Sequence, residues 1–292
     1  MTSVRVVSDR RAEYVELLEA AGVTVAVEAD VLLADPRSLH TIDLAGVTWI
    51  QSTWAGVDAV DWSHVPADAT VTGLPGVFGH QIAEYVFGHL LGRTQRVPQR
   101  HAVRVWDETL PDLLGGTTLG VLGAGSIGGC VAEVARAFGM VVRGCRRSGA
   151  PDSRYDRMYP MTDLPGFTEG VDHLVAVLPA TPETRAMVDG AVLGRLTPGA
   201  TFVNVGRGST AVTDDVVAAA RSGRLGLAVL DVTDPEPLPP DHPAWAEANV
   251  VITGHTAAHS RPDSIVRFFL ENLARLRSGE QLVGVVDRSK GY

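Results

Sequence analysis

The segment Thr118-Leu-Gly-Val-Leu-Gly123-Ala-Gly125-Ser-Ile-Gly128 constrains the fold of this chain more than any other. A bare G-x-G-x-x-G spacing is a weak signal. Here it follows a short apolar run and opens a segment, Ser126–Phe138, that reads as a helix, which is the context that gives the motif meaning. Gly123 permits a tight turn, Gly125 leaves the backbone bare for the approach of a pyrophosphate, and Gly128 lets the helix pack close to the strand. The helix start at Ser126 and Ile127 then offers unpaired N–H groups and a positive dipole end to phosphates. A glycine-rich turn with no ligand is the competing reading.

Apolar runs and helical segments alternate along the chain. Val4–Ser8, Val23–Val27, Val31–Ala34 and Val47–Ser52 read as strands, and Ala12–Ala21 as a helix ending at Gly22. A longer helix is expected from His80 to Arg96, with Pro98 just beyond its end. Thr118–Leu122, Met140–Cys145, His173–Leu178, Ala200–Val205, Leu225–Val232 and Asn249–Thr253 read as further strands, and Pro262–Arg277 as a last helix. Such alternation implies parallel sheets covered by helices. The proline-rich stretch Asp234–Pro243 reads as a loop held in one shape.

Composition narrows the function. A net charge of -9 argues against a nucleic-acid partner. No stretch approaches the roughly 18 apolar residues of a membrane helix, and no basic start precedes an apolar run. No membrane partner and a cytoplasmic location are therefore expected. Cys130 and Cys145 are isolated, which favours buried structural thiols over a disulfide scaffold or a zinc site, and no metal is expected.

The strand after the glycine motif bears on the dinucleotide. NAD-binding chains usually carry an acid about 20 residues on, to hold ribose hydroxyls. Val141-Val-Arg-Gly-Cys-Arg146-Arg147-Ser148 has none there. Two guanidinium groups suit a 2′-phosphate, so NADP(H) is expected in preference to NAD(H). A solvated basic pair at a strand end is the alternative.

Three later strand ends carry polar residues fit for chemistry: Asn204-Val205-Gly206-Arg207-Gly208, Asp231 through Glu236-Pro237, and His255. Ligands bind beyond the carboxyl ends of strands in open α/β sheets, so one cleft can gather Arg207, Glu236 and His255. Together with Ala55-Gly56-Val57-Asp58, Ala83-Glu84-Tyr85 and Leu178-Pro179-Ala-Thr-Pro-Glu-Thr184, these segments run in an order and spacing that resembles the D-isomer-specific 2-hydroxyacid dehydrogenases. That family includes glyoxylate and hydroxypyruvate reductases and phosphoglycerate dehydrogenases. The likeness covers about Val47 to Ser260.

The resemblance implies two α/β domains, Rossmann-like or flavodoxin-like, each on a parallel sheet, with the active site in the cleft between them. Residues 1–96 with 262–292 would bind substrate, and 97–261 would bind the dinucleotide. It implies an NAD(P)-dependent dehydrogenase that reduces a small 2-keto acid, such as glyoxylate or hydroxypyruvate, and a homodimer. Arg207 would hold the substrate carboxylate and keto oxygen. His255 would give that oxygen a proton, and Glu236 would orient the imidazole. Trp54, Ala55, Gly56 and Val57 would border the substrate, with backbone N–H groups of 55–57 on its carboxylate. Leu178, Pro179, Thr184, Val205, Gly206 and Asp231 would join the glycine turn, Arg146, Arg147 and Ser148 around the cofactor. His259 is the neighbour that could replace His255. Two positions depart from the family pattern: Gly254 stands where proline usually precedes the catalytic histidine, and Ala180 where a larger apolar residue is usual. A specialised substrate such as a phosphonate, or a dinucleotide-sensing corepressor-like protein, are the competing functions.

Overall fold

The computed structural model describes residues 2–291; Met1 and Tyr292, which the expected domain bounds include, lie outside the described residues. The chain divides into two compact units, Met1–Phe78 with His259–Tyr292, and Gly79–Ala258. The expected boundary between residues 96 and 97 is therefore displaced, as is the one between 261 and 262. The helix Gly79–Thr94 joins the second unit because its Ile82, Val86 and Leu90 share a core with Val131 and Ala135 of the helix Ser126–Ala137.

In the first unit, β1 (Val4–Val7), β2 (Val31–Ala34), β3 (Trp49–Ser52) and β4 (Thr70–Thr72) form a parallel sheet in that order. Helix α1 spans Arg11–Ala20. Strands β2 and β3 are buried at every position, as interior parallel strands should be. The expected strand Val23–Val27 shrinks to one parallel bridge, Val25 to Val4. It has a single neighbour, and Val27 is 79% exposed, so nothing repays further pairing. The C-terminal helix Pro262–Arg277 stacks Phe269 on Trp49, with ring centroids 5.0 Å apart. The Trp49 indole N–H donates to the Thr72 hydroxyl (2.8 Å), which donates to Gln51 Oε1 (2.9 Å), so this core leaves its polar groups satisfied.

The second unit opens with α2 (Gly79–Thr94) and α3 (Val97–Ala102). Pro98 lies just beyond the end of α2, as expected, in the first turn of α3, where its missing N–H costs nothing. The break falls instead at Arg96, whose φ is 54°. Then come β5 (Thr118–Leu122), α4 (Ser126–Ala137), β6 (Val141–Arg146), β7 (Arg157–Pro160), β8 (His173–Ala176), β9 (Ala200–Asn204), β10 (Leu225–Leu230) and β11 (Val250–Ile252). The seven strands are all parallel, in the order β11-β10-β9-β8-β5-β6-β7. The order reverses between β5 and β8, and such a switch point is where a doubly wound sheet opens a crevice for a dinucleotide.

His173 starts β8 and is only 6% exposed, with Nδ1 lacking a hydrogen-bond partner. Burial pushes its imidazole down to about 4, with Arg93 acting the same way and Asp172 opposing. The unfolded chain takes up this proton near pH 6.5 and the folded one only near 4. Stability should thus be whole above about pH 6.5 and fall by about 3 kcal/mol as pH drops through 4. Thermal melts across that range should show the loss, and His173→Leu should make its slope shallower; an equal slope would absolve this residue.

Candidate active site

The glycine turn lies at the switch point. Gly123 has φ 107°, and a Cβ there would collide with the Val177 carbonyl, so only glycine lets the β5 and β8 loops meet. The amides of Gly123 and Ala124 donate to the Cys145 carbonyl (2.9 and 3.0 Å), tying the turn to β6. Gly125 differs: a Cβ there would meet no atom within 4 Å, so the fold does not need glycine there for its own packing. The bare backbone at this point leaves room for a ligand. Gly125 stands at the N-cap of α4 and supplies no side-chain cap, the first turn holds no acid, and Ser126 and Ile127 stand at its start. Gly128 packs against the Gly123 carbonyl. These residues fit a dinucleotide pyrophosphate held at a helix N-terminus.

At the end of β6 the two arginines part. Arg146 turns inward: one Nη donates to the carbonyls of Ala150 (2.6 Å) and Pro151 (3.1 Å), and the other lies 3.8 Å from Asp152. Arg147 and Ser148 are exposed. Sequence reasoning missed Arg154, whose fork binds Asp152 through Nε (3.0 Å) and Nη2 (2.7 Å) and lies against Gly129 of α4. That pairing holds the Asp152 carboxyl down at about 2. Two cations, Arg146 and Arg154, thus gather around one acid, leaving net positive charge beside the glycine turn. The only hint in the sequence was the Asp-x-Arg spacing.

The β8 loop is closed by Thr184, which is 4% exposed; its hydroxyl donates to the Pro179 carbonyl (2.6 Å) and accepts from the Thr181 amide (3.0 Å). Thr184 and the buried Leu178 therefore shape the loop from within, and Pro179 borders it. After β9, Asn204 accepts from the Gly206 amide (3.1 Å) and donates to the Arg207 carbonyl (3.1 Å). Thr210 also holds that carbonyl, through its hydroxyl at 2.7 Å. Val205 and Gly206 are buried, whereas the Arg207 side chain is half-buried, with Nη1 on the Gly206 carbonyl (2.9 Å). A Cβ at Gly208 would fall on the Thr233 backbone, so glycine lets the β9 and β10 loops touch.

Asp231, 2% exposed, stands just beyond β10 and organises the segment after β11. Its carboxylate accepts from the Thr253 hydroxyl (2.6 Å), the Thr256 amide (2.7 Å) and the Ala257 amide (3.1 Å). Its carbonyl accepts from the His255 amide at 2.8 Å. Tyr85 donates its hydroxyl to Thr253 (2.7 Å), and burial pushes that phenol up to about 12. This clamp holds His255 at φ 56°, a left-handed conformation that histidine tolerates better than most residues. Gly254 has open space around it. The result is a defined pair: His255 Nδ1–H donates to Glu236 Oε1 at 2.8 Å, with the two side chains 48% and 41% exposed. Nε2 is left as the ring position that can give or take a proton. Arg207, Glu236 and His255 come after β9, β10 and β11, three neighbours in the sheet. His259 is exposed and falls in the other unit.

In the first unit, Trp54, Ala55, Gly56 and Val57 come after β3. Val57 is core, Trp54 half-buried and Ala55 exposed. Ser52 Oγ accepts from the Trp54 amide (3.0 Å) and donates to its carbonyl (2.9 Å), which pins the loop. Asp35, unnoticed in the sequence, binds the Asp9 amide (3.0 Å) and the Thr53 hydroxyl, joining the carboxyl ends of β1, β2 and β3.

Residues 88–257 match the family model described as "D-isomer specific 2-hydroxyacid dehydrogenase, NAD binding domain". Glyoxylate/hydroxypyruvate reductase A of Klebsiella pneumoniae is 34% identical over 218 residues, 73% of this chain and 70% of that protein. A crystal structure of a D-isomer specific 2-hydroxyacid dehydrogenase family protein from Aeromonas salmonicida has a TM-score of 0.87 at 36% identity, covering 98% of this chain and 99% of that one. The NADPH-dependent glyoxylate/hydroxypyruvate reductase of Sinorhizobium meliloti, solved with NADP and sulfate, has a TM-score of 0.88 at 27% identity over the whole of both chains. The chain belongs to the D-isomer-specific 2-hydroxyacid dehydrogenase family, a family of oxidoreductases that bind a nicotinamide dinucleotide. Among the described residues no helix is long and apolar enough to cross a membrane.

Proposed function

We propose that this protein is an NADP(H)-preferring reductase of small 2-keto acids, with glyoxylate and hydroxypyruvate as the first candidates. The observation that carries the reading is the His255–Glu236 pair, 2.8 Å apart with His255 held by the Asp231 clamp, Glu236 and His255 following the two strands next in order to the one that presents Arg207. Arg207 binds the substrate carboxylate and polarises the keto oxygen, a task for a permanent planar cation. In the first unit, the backbone N–H groups of 55–57 are proposed as a carboxylate seat. When bound, the reduced nicotinamide would supply the hydride that C2 of the substrate accepts. His255 Nε2 gives its proton to the keto oxygen, which becomes the hydroxyl, and the Glu236 carboxylate stabilises the imidazolium that donates it. In the reverse direction the neutral ring takes that proton back.

NADP preference draws support from the exposed Arg147 and Ser148 and from the cation excess around Asp152. A homodimer in the cytoplasm completes the proposal. Self-association is supported by Val105, Trp106, Leu110 and Leu113, exposed by 72–88% within one short stretch. The test monitors loss of reduced-nicotinamide absorbance with glyoxylate, hydroxypyruvate and pyruvate, each with NADPH and NADH. Turnover of one acid at a higher kcat/KM with NADPH is expected. Replacing both Arg146 and Arg147 by glutamine should weaken NADPH binding about tenfold or more, and NADH far less. Equal losses would remove the pair from the 2′-phosphate. Tight cofactor binding without turnover of any acid would favour the sensor reading.

A further inference from the structure

We infer that Arg37 selects for 2-keto acids bearing a second anionic group, a distal carboxylate or phosphonate. The inference rests on the proposed 2-keto acid chemistry and names the substrate class within it. Arg37 lies in the 3-10 turn Pro36–Thr41 just beyond β2, and Trp54 lies just beyond β3. These strands are parallel neighbours, so both residues stand at the carboxyl edge of the sheet, where such folds take ligands. The Arg37 guanidinium carbon sits 4.4 Å from the Trp54 ring centroid. The side chain is exposed, and no carboxylate among the described residues pairs with it.

The support beneath this cation is firm. Ser52 pins Trp54 at both its amide and its carbonyl. Thr53, between them, is held by Asp35 through its hydroxyl, and its carbonyl accepts from the Ser260 hydroxyl at 2.8 Å. Asp35 is only 6% exposed and is occupied by Thr53 and the Asp9 amide. The indole therefore offers a fixed face on which the guanidinium rests, which reduces the entropy lost when it binds an anion. Its fork of N–H donors suits a carboxylate or phosphonate bidentately. The adjoining backbone of 55–57 is the proposed seat of the first carboxylate. An acid with charge at both ends can reach both groups, whereas glyoxylate has nothing to offer Arg37.

The test measures kcat and KM for oxaloacetate and phosphonopyruvate against glyoxylate and hydroxypyruvate, in the wild type, Arg37→Gln and Arg37→Lys. The ratio of kcat/KM for oxaloacetate over glyoxylate should fall about tenfold or more in Arg37→Gln, carried by KM, with Arg37→Lys restoring part. Equilibrium binding of D-malate, monitored by tryptophan fluorescence, should weaken by a similar factor. A ratio and a malate affinity both unmoved by Arg37→Gln would overturn the inference. Turnover of glyoxylate but of neither dianionic acid would overturn it while leaving the proposed function standing. If no acid is reduced, the proposed function fails, and malate binding alone still decides the role of Arg37.

Discussion

Replacing His255 by asparagine should lower kcat about 10²–10⁴-fold while leaving NADPH affinity within about twofold. Asparagine is the informative choice. His255 sits at φ 56°, where alanine would add strain but asparagine settles readily, so the loop should keep its course. The side chain is half-exposed and fills no core, so folding should be untouched. The substitution removes the ring proposed to donate a proton through Nε2 while Nδ1 rests on Glu236. Glu236→Gln should act on the same step more gently. It removes the negative charge that faces His255 Nδ1–H, so kcat should fall by less than in His255→Asn, with NADPH affinity unchanged. Stopped-flow single turnovers with preloaded NADPH separate the two readouts. Near-normal turnover in His255→Asn would move the proton donor elsewhere, with His259 the first residue to replace.

Asp231→Ala should have the second-largest effect, and it should strike stability and rate together. The buried carboxylate serves two amides and one hydroxyl, and alanine would take this acceptor from all three, the buried Ala257 amide among them. The expected cost is about 3–5 kcal/mol, or a fall in Tm of roughly 10 °C. Freed from the clamp, the segment 253–257 no longer holds His255 against Glu236, so kcat should fall at least about tenfold below the level that partial unfolding explains. Asp231→Asn keeps one acceptor oxygen and should recover part of both losses. Calorimetry and kcat measured well below the melting range would tell the effects apart. A destabilised variant with unchanged kcat would make Asp231 a structural residue with no bearing on the histidine.

Much of this arrangement is legible in the sequence, for identifiable reasons. Interior strands such as β5, β8 and β9 are rich in apolar residues and lie close to glycines, so they stand out. Edge strands do not: β4 has three residues and β7 ends on a proline, and neither carries a long apolar run. Val23–Val27 shows the converse, an apolar run at an edge that gains too little burial to pair. Arg207, Glu236 and His255 could be picked out because each comes after a strand in a recognisable segment. The groups that position them could not. Asp231 reaches Thr256 across 25 residues, and Tyr85 reaches Thr253 across 168. Asp35 ties three strand ends together only once the sheet has formed. Arg146 reads as a phosphate ligand by position; that one of its Nη groups also holds the carbonyls of Ala150 and Pro151 depends on how the β6 loop folds back and leaves no mark in the sequence.

The proposed chemistry stands most directly on hydride transfer to C2 of a 2-keto acid with a proton from His255. The decisive measurement supplies NADPH deuterated at the transferable C4 position together with hydroxypyruvate, and determines the isotope content and configuration of the glycerate formed. Deuterium on C2, the D configuration, and loss of this product in His255→Asn are predicted. Glycerate without deuterium, or of the L configuration, would contradict the proposal.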